Sequence, residues 1–209
     1  MQNSLDMRKG RFIVLYGIAA SGKTTQMKLI GKWLKDLGYD VLLTKEPTNS
    51  EIGILLKRIV RGERNFPRRG LVYLFIADRM DHVENVIKPA LNDGKIVICE
   101  RYYLDTIAYQ MLEGYSKEFL EKINIVDLYP DMSIFLDISV EESIKRMERL
   151  SEVRKIYEKR DILEKVRKNF LRLIEEYNKT GRDRIIIVNG ERPIEDVFEE
   201  IKEKIKSNM

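Results

Sequence analysis

Apolar positions follow two alternating patterns along the chain. Continuous apolar runs of strand length predict strands at residues 11–17, 40–44, 95–100, 130–138 and 184–190. In the segments between these runs, apolar residues recur every three or four positions, as Met27, Ile30 and Leu34 do. That spacing is typical of amphipathic helices, which we predict at residues 24–38, 50–60, 71–91, 106–114, 139–147, 161–179 and 194–209.

The alternation of strands and helices predicts βαβ units, and therefore one parallel sheet with helices on both faces. The run at 95–100 is nearly all apolar, as expected of a strand buried on both faces. We predict a three-layer α/β fold with five parallel strands, in a single domain over residues 1–209. Because such folds bind ligands at the carboxyl ends of their strands, we expect the chemistry just after residues 16, 43, 100 and 137.

Composition and charge exclude several classes of protein. The chain has 209 residues, 38 basic and 34 acidic, so its net charge of +4 does not itself indicate nucleic-acid binding. One cysteine, Cys99, cannot form an internal disulfide, and we expect it to be an inert buried thiol. The one histidine, His82, is expected on a helix face or at a dimer contact. No apolar stretch reaches the length of a membrane span and the start lacks signal-peptide features, so we expect a cytoplasmic protein.

One motif indicates nucleotide chemistry. Residues 17–24 read Gly-Ile-Ala-Ala-Ser-Gly-Lys-Thr, which fits G-x-x-x-x-G-K-[ST] between a predicted strand and a predicted helix. Backbone amides and the helix N-terminus can bind phosphate oxygens there, Lys23 can reach the β- and γ-phosphates of ATP, and Thr24 can ligate Mg²⁺. We therefore predict a P-loop NTPase fold with an ATP site formed by Gly17, Ile18, Ala19, Ala20, Ser21, Gly22, Lys23, Thr24 and Thr25.

The phosphate-binding motif does not by itself name the reaction. A switch GTPase is disfavoured, because no aspartate is followed by glycine at the third position after it. The only candidate for a guanine-binding N-K-x-D motif, at residues 178–181, lacks its final acid. A small-molecule kinase and another ATP-using enzyme both remain open at this point.

Six segments in a fixed order narrow the choice: FIVLYGIAASGKTTQ, TKEPTNSEIG, LFIADRMDHVENVIKPAL, ERYYLDTIAYQ, PDMSIFLDI and YEKRDILEKVRKNFLRL. In order and spacing the chain resembles the thymidylate kinases, from about residue 11 to residue 200. The resemblance implies transfer of the γ-phosphoryl group of ATP to dTMP, giving dTDP, a step in dTTP synthesis. It also implies Mg²⁺, a LID segment that closes over ATP, and a homodimer.

The resemblance assigns roles to individual residues. Glu100-Arg101-Tyr102 resembles the family's Asp-Arg-Tyr/His motif, with glutamate in place of aspartate. It implies that Arg101 bridges the transferring and accepting phosphates, and that Glu100 positions Mg²⁺ or orients Arg101. Phe75 is then expected to stack on thymine, Arg79 to donate a hydrogen bond to its O4, and Tyr109 to crowd the 2′ carbon of the sugar and exclude ribonucleotides.

The LID of the family matches residues 146–160, which are rich in cations. Ala20 stands where some family members place an arginine in the phosphate loop, so the resemblance implies that the LID supplies the catalytic arginine. We predict Arg149 and Arg154 for this role. A LID that binds phosphates accounts for the charge of this segment, and the segment has no base-stacking platform, so we expect small nucleotides and not nucleic acid as partners.

Three departures from the family pattern all concern the acceptor nucleotide. Ala19 stands where the family has an acid that holds the 3′-hydroxyl of the acceptor. Residues 48–50 offer no arginine to the acceptor phosphate, so we expect Lys45 or Arg101 to bind that phosphate. Asp105 replaces a serine or threonine and is expected either to contact the sugar or base or to indicate a different nucleotide. The alternatives are therefore a kinase for another deoxynucleoside monophosphate or a nucleoside, or an inactive nucleotide-binding module.

Overall fold

The computed structural model describes residues 10–124, 128–149, 157 and 159–208, which form a five-stranded parallel sheet with helices on both faces. The strands are β1 (Arg11–Tyr16), β2 (Val41–Lys45), β3 (Ile96–Glu100), β4 (Met132–Asp137) and β5 (Ile185–Asn189). The helices are α1 (Lys23–Asp36), α2 (Glu51–Val60), α3 (Leu71–His82), α4 (Lys88–Asn92), α5 (Tyr103–Gln110), α6 (Lys117–Ile123), α7 (Val140–Arg149), α8 (Arg160–Thr180) and α9 (Ile194–Asn208). None of these helices is long and apolar enough to cross a membrane.

The strands lie in the order β2-β3-β1-β4-β5, so β1 is central. Ile13 of β1 is opposite Ile98 of β3 on one side and Met132 of β4 on the other. Strands β2 and β3 lie on one side of β1, and β4 and β5 lie on its other side, so the strand order reverses at β1. In such sheets, ligands bind in the crevice at the carboxyl end of the strand where the order reverses. The phosphate loop, residues 17–24, follows β1 directly.

Two hydrophobic layers cover the sheet, as the alternation of side chains along a strand requires. Phe12, Val14 and Tyr16 are buried on one face against α3, α4, α5 and α8. Ile13 and Leu15 are buried on the other face against α1 and α9. A smaller cluster joins α2 to α3 and includes Tyr157. This cluster places α2 beside the carboxyl ends of the strands, where it can form the wall of a site.

All five predicted strands are confirmed, each within two residues of its predicted ends. The predicted helix over 71–91 is interrupted by a π-helical turn, Val83–Ile87, between α3 and α4. Pro89 has no N–H to donate back along the helix, which is a known cause of such interruptions. Helix α6 was not predicted, because seven residues are too few to establish a helical period.

Candidate active site

The phosphate loop adopts a backbone that needs small residues. Gly17 has φ +149°, and a Cβ there would lie 2.4 Å from Oγ of Ser21 and 2.8 Å from the carbonyl oxygen of Leu136. Ala20 and Gly22 also have positive φ angles, and α1 begins at the next residue, Lys23. Gly17 and Gly22 therefore permit the tight loop that directs backbone amides and a helix N-terminus toward one point.

Lys23 folds back over this loop. Its Nζ donates hydrogen bonds to the carbonyl oxygen of Ile18 at 2.7 Å and to Oγ of Ser21 at 3.2 Å. The side chain is only 4% exposed. A buried ammonium held on the phosphate loop is placed to meet the negative charge of a polyphosphate.

The two predicted metal ligands meet at the carboxyl ends of β1 and β3. Oγ1 of Thr24 donates a hydrogen bond to Oε2 of Glu100 at 2.6 Å. Burial raises the pKa of Glu100, but Lys23, Arg101 and the Thr24 hydrogen bond together hold it below its usual value. A hydroxyl beside an ionised carboxylate fits Mg²⁺, which takes hard oxygen ligands and is commonly held by one or two protein groups plus phosphates and water. The described residues contain no larger cluster of metal-ligating side chains.

A cavity of about 270 Å³ opens beside this point. It is lined by all six residues that were predicted to bind the acceptor: Lys45, Phe75, Arg79, Arg101, Asp105 and Tyr109. Glu100 and Ala19 also line it, so the cavity and the phosphate loop share a boundary. The geometry thus places two binding regions next to each other, one at the phosphate loop and one in the cavity.

Arg79 is held by a buried network. Its Nε and Nη2 donate to Oε2 of Glu46 at 3.0 and 2.7 Å, its Nη1 donates to Oδ1 of Asn124 at 2.6 Å, and its Nη2 also donates to Oγ1 of Thr106 at 2.8 Å. Burial lowers the pKa of Arg79, but the Glu46 carboxylate more than offsets this and raises it. The guanidinium is therefore fixed and charged at the wall of the cavity.

His82 lies on α3, as a helix-face residue would, but it belongs to the same buried network, so the alternative expectation of a dimer contact is wrong. The residue is 2% exposed, with Nδ1 3.2 Å from Oε1 of Glu46 and Nε2 2.7 Å from Oγ1 of Thr44. Sequence patterns missed this because Thr44 and Glu46 lie at the end of β2, far from His82 along the chain. Cys99 is buried and free as expected, and burial raises the pKa of its thiol.

Arg101 and Asp105 form an ion pair in the cavity. Nη1 of Arg101 lies 2.5 Å from Oδ1 of Asp105, and the guanidinium lies 5.7 Å from the ring centre of Tyr109. Burial lowers the pKa of Arg101, but Asp105, Tyr109 and Glu100 together raise it. Asp105 thus has a cationic partner of its own, which the sequence did not indicate.

Two further cations in the cavity were missed by the sequence analysis. Lys57 and Arg61 lie four residues apart at the end of α2 and both line the cavity. Burial, Lys45 and Arg61 lower the pKa of Lys57, while its Nζ donates to Oδ1 of Asn49 at 2.7 Å. The spacing of two cations on one face of a predicted helix was the available signal. They supply positive charge that residues 48–50 lack.

The LID predictions are largely outside the described residues. Residues 150–156 and 158 are not described, and Arg154 is among them. Arg149 is exposed at the end of α7 and is not a lining residue of the cavity. Arg146, at the start of the segment, donates to the carbonyl oxygen of Gly190 at 2.9 Å and pairs with Glu142 at 2.7 Å. Tyr157 lines the cavity, with its ring centre 5.3 Å from that of Tyr109.

Comparison with known proteins identifies the family. The family model described as thymidylate kinase matches residues 15–201, which is most of the chain. The chain belongs to the thymidylate kinase family. Its relatives include a probable thymidylate kinase of Pyrococcus horikoshii, 42% identical over 96% of this chain and 98% of the relative. A probable thymidylate kinase of Pyrococcus abyssi is 40% identical over 96% and 98%, and a thymidylate kinase of Desulfotalea psychrophila is 37% identical over 75% and 78%.

Membership of the family confirms the predicted resemblance and the P-loop α/β fold. The chain is thus a kinase that binds nucleotides, and nothing in these similarities favours an inactive module or another acceptor. The matched region begins within β1 and ends within α9, so it contains both the phosphate loop and every residue that lines the cavity.

Proposed function

We propose that this chain transfers the γ-phosphoryl group of ATP to the 5′-phosphate of dTMP, forming ADP and dTDP. The observation that carries the proposal is the shared boundary between the phosphate loop and the cavity, where Glu100 and Arg101 lie. A chain of the thymidylate kinase family with both regions in contact can place two nucleotides with their phosphates facing each other. Phosphoryl transfer needs little more than such placement and positive charge.

Residues of the phosphate loop are proposed to hold the donor. Backbone amides of residues 17–24 bind the β-phosphate, and Lys23 neutralises charge on the transferred group. Thr24 and Glu100 would hold Mg²⁺, which would offset the negative charge of the donor phosphates when bound. Arg101 lies next to Glu100 and binds the accepting and transferring phosphates together.

The cavity is proposed to hold dTMP. Phe75 stacks on the base, the fixed guanidinium of Arg79 donates to it, and Tyr109 lies against the sugar. Lys45 and Lys57 add positive charge for the 5′-phosphate. Arg149 and Arg154 are proposed to close over the donor phosphates with the LID, which also excludes water.

A homodimer is proposed as the active assembly. Tyr73 and Met80 are seven residues apart on α3, so they share a face, and they are 55% and 54% exposed. Ile54 of the adjacent helix α2 is 50% exposed. Exposed large apolar side chains that lie together commonly mark a protein interface. We assign the dimer contact to this exposed face of α2 and α3. We also propose that the protein acts in the cytoplasm.

The test is to measure ADP formation from ATP with and without Mg²⁺, offering dTMP, dUMP, dCMP, dAMP, dGMP, UMP, AMP and thymidine separately. We expect dTMP to give the highest kcat/KM, UMP to be a poor acceptor, and activity to require the metal. A higher kcat/KM for another acceptor would replace dTMP as the substrate. ATP binding without turnover on any acceptor would instead support an inactive module.

A further inference from the structure

Arg101 lies in a backbone conformation that only a few residues adopt without cost. It follows β3 with φ +70°, and its N–H donates to the carbonyl oxygen of Leu15 at 3.0 Å, which ties the turn to the central strand. Residues other than glycine with positive φ are uncommon and cluster at functional sites. The turn directs the side chain of Arg101 into the cavity.

Asp105 holds that side chain from α5. Its Oδ1 accepts the hydrogen bond from Nη1 of Arg101 at 2.5 Å, while its Oδ2 accepts the amide N–H of Tyr102 at 3.4 Å. One carboxylate therefore contacts the side chain of Arg101 and the backbone of the next residue. The ring of Tyr109 covers the guanidinium at 5.7 Å. The guanidinium is thus held by an acid on one side and an aromatic face on another.

Helix capping alone does not account for this arrangement. The Tyr102 contact is the capping bond, and at 3.4 Å it is the longer of the two. The Arg101 contact is shorter and charged, and the two side chains are only 25% and 9% exposed. Burial raises the pKa of Asp105, and the charges of Arg101 and Lys23 offset only part of that increase.

The ion pair leaves Arg101 able to bind an anion. A guanidinium has five N–H donors, and within the described part of the chain its only side-chain hydrogen bond is the one to Asp105. The remaining donors are in one plane with the bonded one, so fixing one edge of the fork also fixes the direction of the other edge. A phosphate oxygen that enters the cavity meets a guanidinium that is already oriented.

We propose that Asp105 is a positioning residue: it aims Arg101 at the 5′-phosphate of the acceptor nucleotide and does not itself bind the nucleotide. This inference rests on the proposed function, and it replaces the expectation that Asp105 contacts the sugar or base. Phosphoryl transfer depends steeply on placement, so an arginine that is free to rotate would lower both binding of the acceptor phosphate and kcat.

The experiment compares Asp105→Ser and Asp105→Asn with the wild-type chain, using dTMP and thymidine as ligands. For Asp105→Ser we expect a roughly tenfold or greater loss of dTMP affinity and a similar loss of kcat, with thymidine affinity unchanged within about twofold. Asp105→Asn keeps a hydrogen-bond acceptor and should recover part of both. Asp161→Ser is the matched control, because Asp161 is an exposed acid in the first turn of α8 and lies outside the cavity.

A double-mutant cycle ties the effect to Arg101. With Arg101→Ala in the background, Asp105→Ser should cause no further loss of dTMP affinity, because the group that it positions is gone. Equal losses for dTMP and thymidine would show that Asp105 contacts the nucleoside, and tighter dTMP binding would show that it competes with the phosphate. A lower melting temperature with unchanged constants would show a cap only. Each of these three results overturns the inference.

The outcome for the wild-type chain separates this inference from the proposed function. If wild-type protein does not phosphorylate dTMP, the proposed function fails. If wild-type protein phosphorylates dTMP, and Asp105→Ser has the same dTMP affinity and kcat as wild type, only the inference about Asp105 fails. Should Asp105→Ser not fold, the asparagine variant carries the same comparison of dTMP with thymidine.

Discussion

Nη2 of Arg79 lies 2.7 Å from Oε2 of Glu46, and the two side chains are only 4% and 5% exposed. The other oxygen of this carboxylate faces His82, so Glu46 joins β2 to α3 at the wall of the cavity. One buried carboxylate therefore balances the charge of the arginine that we assign to the base of the acceptor.

Replacing Glu46 with alanine should lower the free energy of unfolding by about 3–5 kcal/mol, because it leaves the Arg79 cation buried without its partner. Glu46→Gln should lose less, since an amide oxygen still accepts from the guanidinium. Urea denaturation followed by circular dichroism measures both. Glu63→Ala is the control: Glu63 pairs with Arg61 at 3.8 Å with both side chains about half exposed, so its loss should be under about 1 kcal/mol. An alanine variant at Glu46 as stable as wild type would contradict the assigned ion pair.

Replacing Lys23 with methionine should reduce phosphoryl transfer by about 10³-fold or more, because it removes the cation on the phosphate loop. Initial rates in a coupled ADP assay give the magnitude. Lys35→Met, in the last turn of the same helix and away from the loop, should keep wild-type turnover. Substantial turnover by the Lys23 variant would mean that residues 17–24 do not hold the donor phosphates.

Asp183 should make stability depend on pH. Burial raises its pKa, and hydrogen bonds from Tyr103 at 2.6 Å and Ser133 at 2.9 Å only partly offset this. An acid with a raised pKa in the folded state favours the protonated form there, so its ionisation costs stability above that pKa. The cost disappears as the pH falls through the folded pKa toward the usual aspartate value of about 3.9.

Asp183→Asn should therefore be at least as stable as wild type near pH 8, and this advantage should shrink toward about pH 4. Thermal melts across that range measure the difference between the two proteins. A difference that grows as the pH falls would show that the folded state prefers the ionised carboxylate.

Introducing glutamate at both Tyr73 and Met80 should give monomers, because charge would then be buried in the proposed dimer contact. Sedimentation velocity compares the variant with wild-type protein. Leu37→Glu is the control, since Leu37 is 54% exposed just after α1 and outside the α2–α3 face. An unchanged sedimentation coefficient for the double variant would place the contact elsewhere, or show that the wild-type chain is itself a monomer.

The sequence predicted those elements whose structure is determined by neighbouring residues along the chain. Strand β3 could be predicted because its apolar run is continuous, and the phosphate loop because glycines, Lys23 and Thr24 act within eight consecutive residues. Glu46 and Lys57 were not predicted as site residues, because neither the segment TKEPTNSEIG nor the helical spacing of Lys57 and Arg61 shows that these side chains face the cavity. Each becomes a cavity residue only when the end of β2 and helix α2 pack against α3.

The contact of Asp105 with Arg101 also could not be predicted from a local sequence pattern. The sequence indicated that it is unusual and near the acceptor, yet its partner Arg101 depends on the left-handed turn that ends β3. Spacing of four residues would ordinarily predict a contact along one helix, but Arg101 precedes α5. The positive φ angle of Arg101, which the sequence pattern does not specify, brings its side chain to Asp105.

The strand order has a consequence for how the chain could diversify. Apart from Ala19 and Tyr157, every residue that lines the cavity comes from one continuous stretch, residues 45–109, on the β2–β3 side of the central strand. The phosphate loop precedes this stretch. Exchanging residues 45–109 between relatives would therefore transplant a preference for one nucleotide as a block, provided that β3 still registers with β1. New acceptors could arise by recombination within one gene segment while the phosphate loop, which precedes that segment, is inherited unchanged.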